Sequence, residues 1–245
     1  MKDYYKNHAE WYDILSPGTD EDVKFYLKEA KKTKGKVLEI ACGTGRIYLE
    51  LLKAGVDVYG LDTSPAMLRV LNEKSKTEKL HPKVKLADMR SFKYPFKFDL
   101  VIIPFRAFLH METREDQKKC LKCIGQHMEK GGRLVLNFFD PKLEILLKAW
   151  HKKGTIVSKK HKIKLDYTQD SEYDLINQRI SARYHLENKS KGVSVEIPFS
   201  LCYLFPREFM NMLELCGFEK WELYGGFDRR PYNKNGQELI WIVHR

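Results

Sequence analysis

Val37-Leu38-Glu39-Ile40-Ala41-Cys42-Gly43-Thr44-Gly45-Arg46 decides how the rest of the chain is read. Residues 36–40 form a short, mostly apolar run, with Lys36 at its start and Glu39 within it. Gly43 and Gly45 then mark a tight turn, and Arg46–Ala54 carries Ile47, Leu51 and Ala54 on one helical face. A buried strand, a glycine turn and a helix leave unpaired N–H groups and partial positive charge at the helix start. Glycine there lets a ligand approach the backbone. A dinucleotide site of this shape needs a third glycine three residues on, where this chain has Tyr48. No Gly-Lys-Ser/Thr of a phosphate loop follows either.

Outward from the turn, strands and helices alternate. Val56–Leu61 reads as a second strand after a helix stop at Gly55. Ser64 caps a helix that opens with Pro65 and carries Met67, Leu68 and Leu71. Val84–Ala87, the all but wholly apolar Phe98–Ile103 and Arg133–Phe139 read as further strands. A helix over Asp116–Met128 precedes the last of them and ends at Lys130-Gly131-Gly132. Strands spaced by helices predict an α/β fold with a parallel sheet. Upstream, Asp20–Lys32 reads as a helix with Val23, Leu27 and Ala30 inward. Downstream, Thr155–Tyr167, Asp170–Glu187 and Val193–Phe205 predict a three-stranded antiparallel insertion, with turns at Gln169-Asp170 and Lys191-Gly192. A helix from Pro206 to Gly217 and strands at Phe218–Tyr224 and Gln237–His244 close the chain. The division is thus a core of 1–150 and 206–245, with residues 151–205 as an insertion serving as substrate lid or dimer contact.

Length and composition agree with one large domain bearing an insertion. The chain has 245 residues, 43% of them hydrophobic, ample for a core. No apolar run is long enough to span a membrane, and the opening Met1-Lys-Asp-Tyr-Tyr lacks an apolar leader. Five cysteines are too sparse for a disulfide scaffold, so a cytoplasmic protein is expected. Cys120-Leu-Lys-Cys123 has metal spacing but lies in a helical pattern without a second pair, and no metal site is expected. The net charge of +11 is uneven: residues 142–164 hold eight lysines and one glutamate. Such a stretch suits a solvated face or an anionic partner, and nucleic acid is the less favoured of the two.

Two acids sit where an adenosine would need them. Asp62 ends the second strand, where a carboxylate accepts from ribose hydroxyls. Asp88 follows the third, where it can accept an adenine amino group. With one short glycine turn, this suits an adenosine ligand that has no pyrophosphate and carries positive charge. Here the chain resembles the class I S-adenosylmethionine-dependent methyltransferases. The resemblance covers roughly residues 12–140. It rests on residues 37–46, on GLDTSPAML (60–68), ADMRSF (87–92), FDLVIIPFRAFLHM (98–111) and GGRLVLNFF (131–139), and on Tyr12-Asp13. The layout is similar to sugar-amine N,N-dimethyltransferases, and near the turn to glycine N-methyltransferase. No Asn-Pro-Pro-Tyr-type motif follows the fourth strand; Pro104-Phe105-Arg106-Ala107 stands there.

The resemblance implies a Rossmann-like seven-stranded sheet in the order 3-2-1-4-5-7-6, with the seventh strand antiparallel. It implies S-adenosylmethionine as cofactor, held by Tyr12, Glu39, Ala41, Gly43, Gly45, Asp62, Met67, Asp88, Met89 and Pro104. The methyl acceptor is expected to be an amino or hydroxyl group of a small molecule. RNA or protein methylation through the basic 142–164 surface, and a non-catalytic ligand-binding module, are the alternatives. His110 and Tyr12 are the candidate catalytic residues, His110 because imidazole titrates near neutrality. Phe105, Arg106, Tyr5 and His8 are the candidate substrate contacts, with Tyr4 in the same N-terminal aromatic segment, which reads as core packing or as a lid. A monomer or homodimer is expected.

Overall fold

The computed structural model describes residues 5, 6, 8–147, 150–158 and 163–245. Tyr4 and parts of the basic 142–164 stretch (148–149 and 159–162) lie outside the described residues. Two helices, α1 (Ala9–Leu15) and α2 (Asp20–Lys31), lead into β1 (Val37–Ile40), α3 (Tyr48–Lys53), β2 (Val58–Asp62), α4 (Pro65–Thr77), β3 (Lys83–Leu86) and β4 (Phe98–Ile103). Then come a 3-10 turn over Ala107–His110, α5 (Arg114–His127), β5 (Met128–Phe139) and the short α6 (Leu143–Leu146). The strands β6 (Trp150–Ser158), β7 (Ile163–Asp174), β8 (Arg179–Asn188) and β9 (Val193–Cys202) follow. The chain closes with α7 (Pro206–Leu215), β10 (Lys220–Tyr224) and β11 (Glu238–His244).

Seven strands form one sheet in the order β10-β11-β5-β4-β1-β2-β3. Counting β10 and β11 as its sixth and seventh strands gives 3-2-1-4-5-7-6, as the resemblance implies. Pairing is parallel from β3 to β5, while β11 runs antiparallel to both β5 and β10. Alternation along the central strands feeds two apolar layers. Leu38, Val101, Leu134, Leu136 and Trp241 pack on one face with Leu121 and Ile124 of α5 and Phe209 and Leu213 of α7. Val37, Leu100, Ile102, Val135 and Ile240 pack on the other with Phe25 and Tyr26 of α2 and Leu68 and Leu71 of α4.

The expected helix at Arg46–Ala54 starts later, at Tyr48, because the glycine turn runs on to residue 47. The Ser64 hydroxyl accepts from the Met67 N–H at 3.3 Å, the expected cap. The break expected at Lys130-Gly131-Gly132 lies within β5. The ladder slips there, with Phe98 opposite Met128 but Leu100 opposite Arg133, and Gly131 takes φ +80°. The insertion has four strands, not three, in the order β6-β7-β8-β9, each pair antiparallel. Gln169-Asp170 is not a turn but lies inside β7, opposite Lys152 and His151. Both faces of these strands are partly solvated, so polar residues there carry no turn signal. The Lys191-Gly192 turn is present, with Gly192 at φ +63°. Among the described residues no helix is long and apolar enough to cross a membrane.

Candidate functional site

The C-terminal ends of β1, β2 and β4 open on a cavity of about 460 Å³, covered by α1 and by β8–β9. Its floor is the glycine turn. Ala41 at φ +57°, Gly43 at +54° and Gly45 at +87° are all left-handed. The two glycines serve different ends. A Cβ on Gly43 would meet nothing nearer than the Ala41 carbonyl at 3.9 Å, whereas one on Gly45 would press Leu71 Cγ at 2.9 Å and Leu49 Cγ at 3.0 Å. Gly43 therefore leaves room on the cavity side, and Gly45, which does not line the cavity, lets α3 and α4 pack.

Asp62 ties this turn to the next element. Its Oδ2 accepts from the Gly43 N–H at 2.8 Å and its Oδ1 from the Ser64 N–H at 2.8 Å. Beside it, Glu39 is 3% exposed, and its Oε2 is buried without a hydrogen-bond partner. Burial pushes this carboxyl well above its ordinary range, against the pull of the Arg46 guanidinium. An orphaned carboxyl oxygen on a cavity wall calls for a donor or cation from a ligand. Arg46 also lines the cavity, bound through both Nη atoms to Asp22 at 2.8 and 2.7 Å and lying 5.0 Å from the Phe105 ring centroid. No spacing rule singled out Arg46 with its partner on α2.

The expected residues divide. Tyr5, Tyr12, Glu39, Ala41, Gly43, Asp62, Met67, Met89, Pro104, Phe105, Arg106 and His110 all line the cavity. Asp88 does not: its carboxylate accepts from Arg90 Nη2 at 2.6 Å and Nε at 2.9 Å, and Arg90 reaches on to Asp116. His8 does not either; it sits at the N-cap of α1, its backbone closing turns with Tyr5 and Trp11. The loop after β10 (225–232) lies off the cavity, its Arg229 bound to Glu29. Cys120 and Cys123 are buried on α5, with Cys123 Sγ 3.5 Å from the Phe92 carbonyl.

Tyr12 meets Tyr5 edge-on at 5.0 Å and Phe105 at 6.5 Å. Burial pushes its phenol up, so it stays protonated. Next to it, the Asp13 carboxylate accepts from the Thr44 hydroxyl at 2.5 Å and pairs with Lys74, which donates to the Thr44 carbonyl at 3.0 Å. The N-terminal helix is thereby fastened to the glycine turn. Its Ile14 packs with Leu165, Leu186 and Ile197 of the four-stranded sheet.

At the far end, His110 Nδ1 lies 3.1 Å from the Ser200 carbonyl. A carbonyl only accepts, so Nδ1 carries the proton and Nε2 is the basic nitrogen. Burial lowers this imidazole's pKa, with the Ser200 bond opposing. Tyr184, Ile197, Phe199 and Leu201 of β8 and β9 wall this end, Tyr184 and Phe199 stacked at 5.5 Å. The sequence marks this stretch as strands and a lid but does not place these four at the cavity. Between the two ends, Phe105 and Arg106 are both left-handed, at φ +54° and +64°. Asn137 Oδ1 holds that bend by accepting from the Phe105 N–H at 2.9 Å and from the Tyr26 hydroxyl at 2.7 Å. Strained backbone fixed in this way is characteristic of ligand sites.

Residues 37–132 match the family described as a methyltransferase domain. Over 140 residues the chain is 28% identical to the dTDP-3-amino-3,4,6-trideoxy-alpha-D-glucopyranose N,N-dimethyltransferase of Streptomyces venezuelae, a match that covers 54% of this chain and 57% of that protein. The chain spans little more than half the length of most curated relatives it matches. A cypemycin N-terminal methyltransferase of a Streptomyces species aligns over 99% of this chain and 97% of its own length, at 23% identity. The CcbJ methyltransferase structure from Streptomyces caelestis superposes with a TM-score of 0.84, covering 98% of this chain and 96% of that one, at 23% identity.

Proposed function

We propose, from the match of residues 37–132 to a methyltransferase domain, that the chain moves a methyl group from S-adenosylmethionine to an amino or hydroxyl group of a small molecule. The observation that carries this reading is the buried, unpartnered Glu39 Oε2 beside the Asp62-braced glycine turn, on the wall of a cavity of about 460 Å³. That volume falls within the roughly 300–1,000 Å³ usual for small-ligand sites. Asp62 retains acceptor capacity toward a ribose, Glu39 answers an ammonium, and Tyr12, Met67, Met89 and Pro104 close around the nucleoside. Gly43 and Ala41 offer backbone, while Gly45 acts through helix packing. Asp88, held by Arg90, is assigned to shaping the rim.

When bound, S-adenosylmethionine supplies an electrophilic methyl on a sulfonium. The chain's part is alignment, exclusion of water and removal of a proton. His110, fixed by Ser200 with Nε2 basic, takes the acceptor's proton. Phe105, Arg106 and Tyr5 frame the acceptor. Tyr12 contributes shape, since its phenol does not titrate. The four-stranded sheet of residues 151–205, joined to α1, acts as the cover. A cavity lined by residues of one chain is compatible with a monomer or a homodimer. The five unpaired cysteines support a reducing, cytoplasmic setting.

The test is calorimetry with S-adenosylhomocysteine, followed by single-turnover release of that product in the presence of a metabolite extract. Micromolar binding with release that depends on the extract is expected. An absence of binding ends the reading; binding without release leaves a ligand-binding module.

A further inference from the structure

Resting on the methyltransferase reading, we infer that Glu238 is a specificity residue. It masks Arg106 and so reserves the acceptor end for acceptors that bring no carboxylate or phosphate to that wall. Among the described residues lining the cavity, the basic side chains are Arg46, Arg106 and His110. Arg46 sits at the glycine turn and is bound to Asp22. His110 donates from Nδ1 to the Ser200 carbonyl, and burial disfavours its charged form. Arg106 is therefore the cation toward which an anionic acceptor would turn.

That cation is already answered. Arg106 Nη2 donates to Glu238 Oε2 at 2.6 Å and Nε to Oε1 at 3.3 Å, and its guanidinium lies 5.3 Å from the Phe139 ring centroid. Glu238 in turn is held from behind, its Oε1 accepting from Asn137 Nδ2 at 2.6 Å. Asn137 is 3% exposed and has both amide atoms engaged. The carboxylate cannot swing aside without stranding that amide. An incoming anion would have to displace a bidentate partner that stays nearby and repels it. The remaining walls, Tyr184, Ile197, Phe199 and Leu201, offer aromatic and aliphatic surface. Such a subsite fits an amine carried on a neutral ring or alkyl frame and disfavours amino acids and phosphorylated amines whose charge lies next to the nitrogen.

The test titrates the protein, saturated with S-adenosylhomocysteine, with benzoate and with inorganic phosphate by calorimetry. In Glu238→Gln the new carbonyl still accepts from Asn137, but its amide nitrogen cannot accept from Arg106. Wild type should show no benzoate binding below about 10 mM, and Glu238→Gln should bind it at least about tenfold more tightly. Adding Arg106→Gln should erase the gain. Equal benzoate affinity in wild type and Glu238→Gln, or a gain that survives Arg106→Gln, overturns the proposal. If Glu238→Gln does not fold, Arg106→Gln alone decides: a masked arginine predicts the same weak benzoate binding as wild type, and a clear loss refutes the masking. Failure of wild type to bind S-adenosylhomocysteine removes the methyltransferase reading itself. A wrong result for the anions with that ligand bound removes only the role of Glu238.

Discussion

Asp62 spends both carboxylate oxygens on backbone before any ligand arrives, fixing the glycine turn to the start of α4. Replacing it with Asn removes the charge but keeps the shape. A charge-assisted hydrogen bond contributes about 1.5–3 kcal/mol, so Asp62→Asn should weaken S-adenosylhomocysteine binding by about ten- to a hundredfold in calorimetry. Unchanged affinity would remove Asp62 from the site. His110 makes a second prediction. Burial lowers its pKa, so Nε2 stays unprotonated below the ordinary imidazole value near 6.5. The acid limb of kcat/KM should therefore lie below that value and vanish in His110→Gln, with kcat down by about a hundredfold or more. The sign for stability is adverse in acid. The unfolded imidazole binds its proton at higher pH than the folded one. Stability is full above the unfolded value and is drawn down as pH falls from there to the folded value.

Asn137 shows what a single polar side chain inside an apolar strand can organise. It joins α2, β5, the loop after β4 and β11 through Tyr26, Phe105 and Glu238. Asn137→Leu keeps the volume but leaves the Phe105 N–H and the Tyr26 hydroxyl unpartnered, and the left-handed Phe105-Arg106 pair loses its restraint. A loss of about 3 kcal/mol is expected, read from urea unfolding. A loss too small to measure would show that water replaces the amide at no cost. The sequence displays the glycine turn, the capped α4 and the parallel strands because each rests on local chemistry or on a continuous apolar run. It hides Asn137, Arg46 with Asp22 and Arg106 with Glu238, since those partners meet only when distant elements fold together. The fourth strand of the insertion is hidden for a related reason: β7 is partly exposed on both faces, so its pattern does not alternate cleanly. The same stretch reads as a lid, but which side chains of β8 and β9 wall the cavity depends on a register that the sequence does not show.

Glu29 on α2 is fully buried and gathers Lys32, Arg133 and Arg229 at 2.6, 2.5 and 2.8 Å, pinning a helix to the sheet and to the loop after β10. Burial pushes its carboxyl up, but the hydrogen bonds from the three cations outweigh this and hold it below its ordinary value. Its contribution is therefore complete above the ordinary carboxylate range and fades as pH falls through the folded value. Glu29→Ala should cost about 3–5 kcal/mol at neutral pH, seen as a lowered Tm, and the difference from wild type should shrink in acid. The cover joining α1 to the four-stranded sheet carries a different prediction. Hydrogen exchange over residues 8–13 should slow when S-adenosylhomocysteine binds, because Asp13 is fastened to Thr44 of the turn. Equal protection with and without the ligand would make that segment permanent core. The position of β11 has a consequence for biosynthesis. It is made after the ten other strands among the described residues, yet it lies between β5 and β10 with Trp241 wholly buried. Until residue 244 has left the ribosome, the apolar edge of β5 has no neighbour. The nascent polypeptide carries that edge open to water until β11 docks, so the β5–β11 pairing is a late, long-range step of folding.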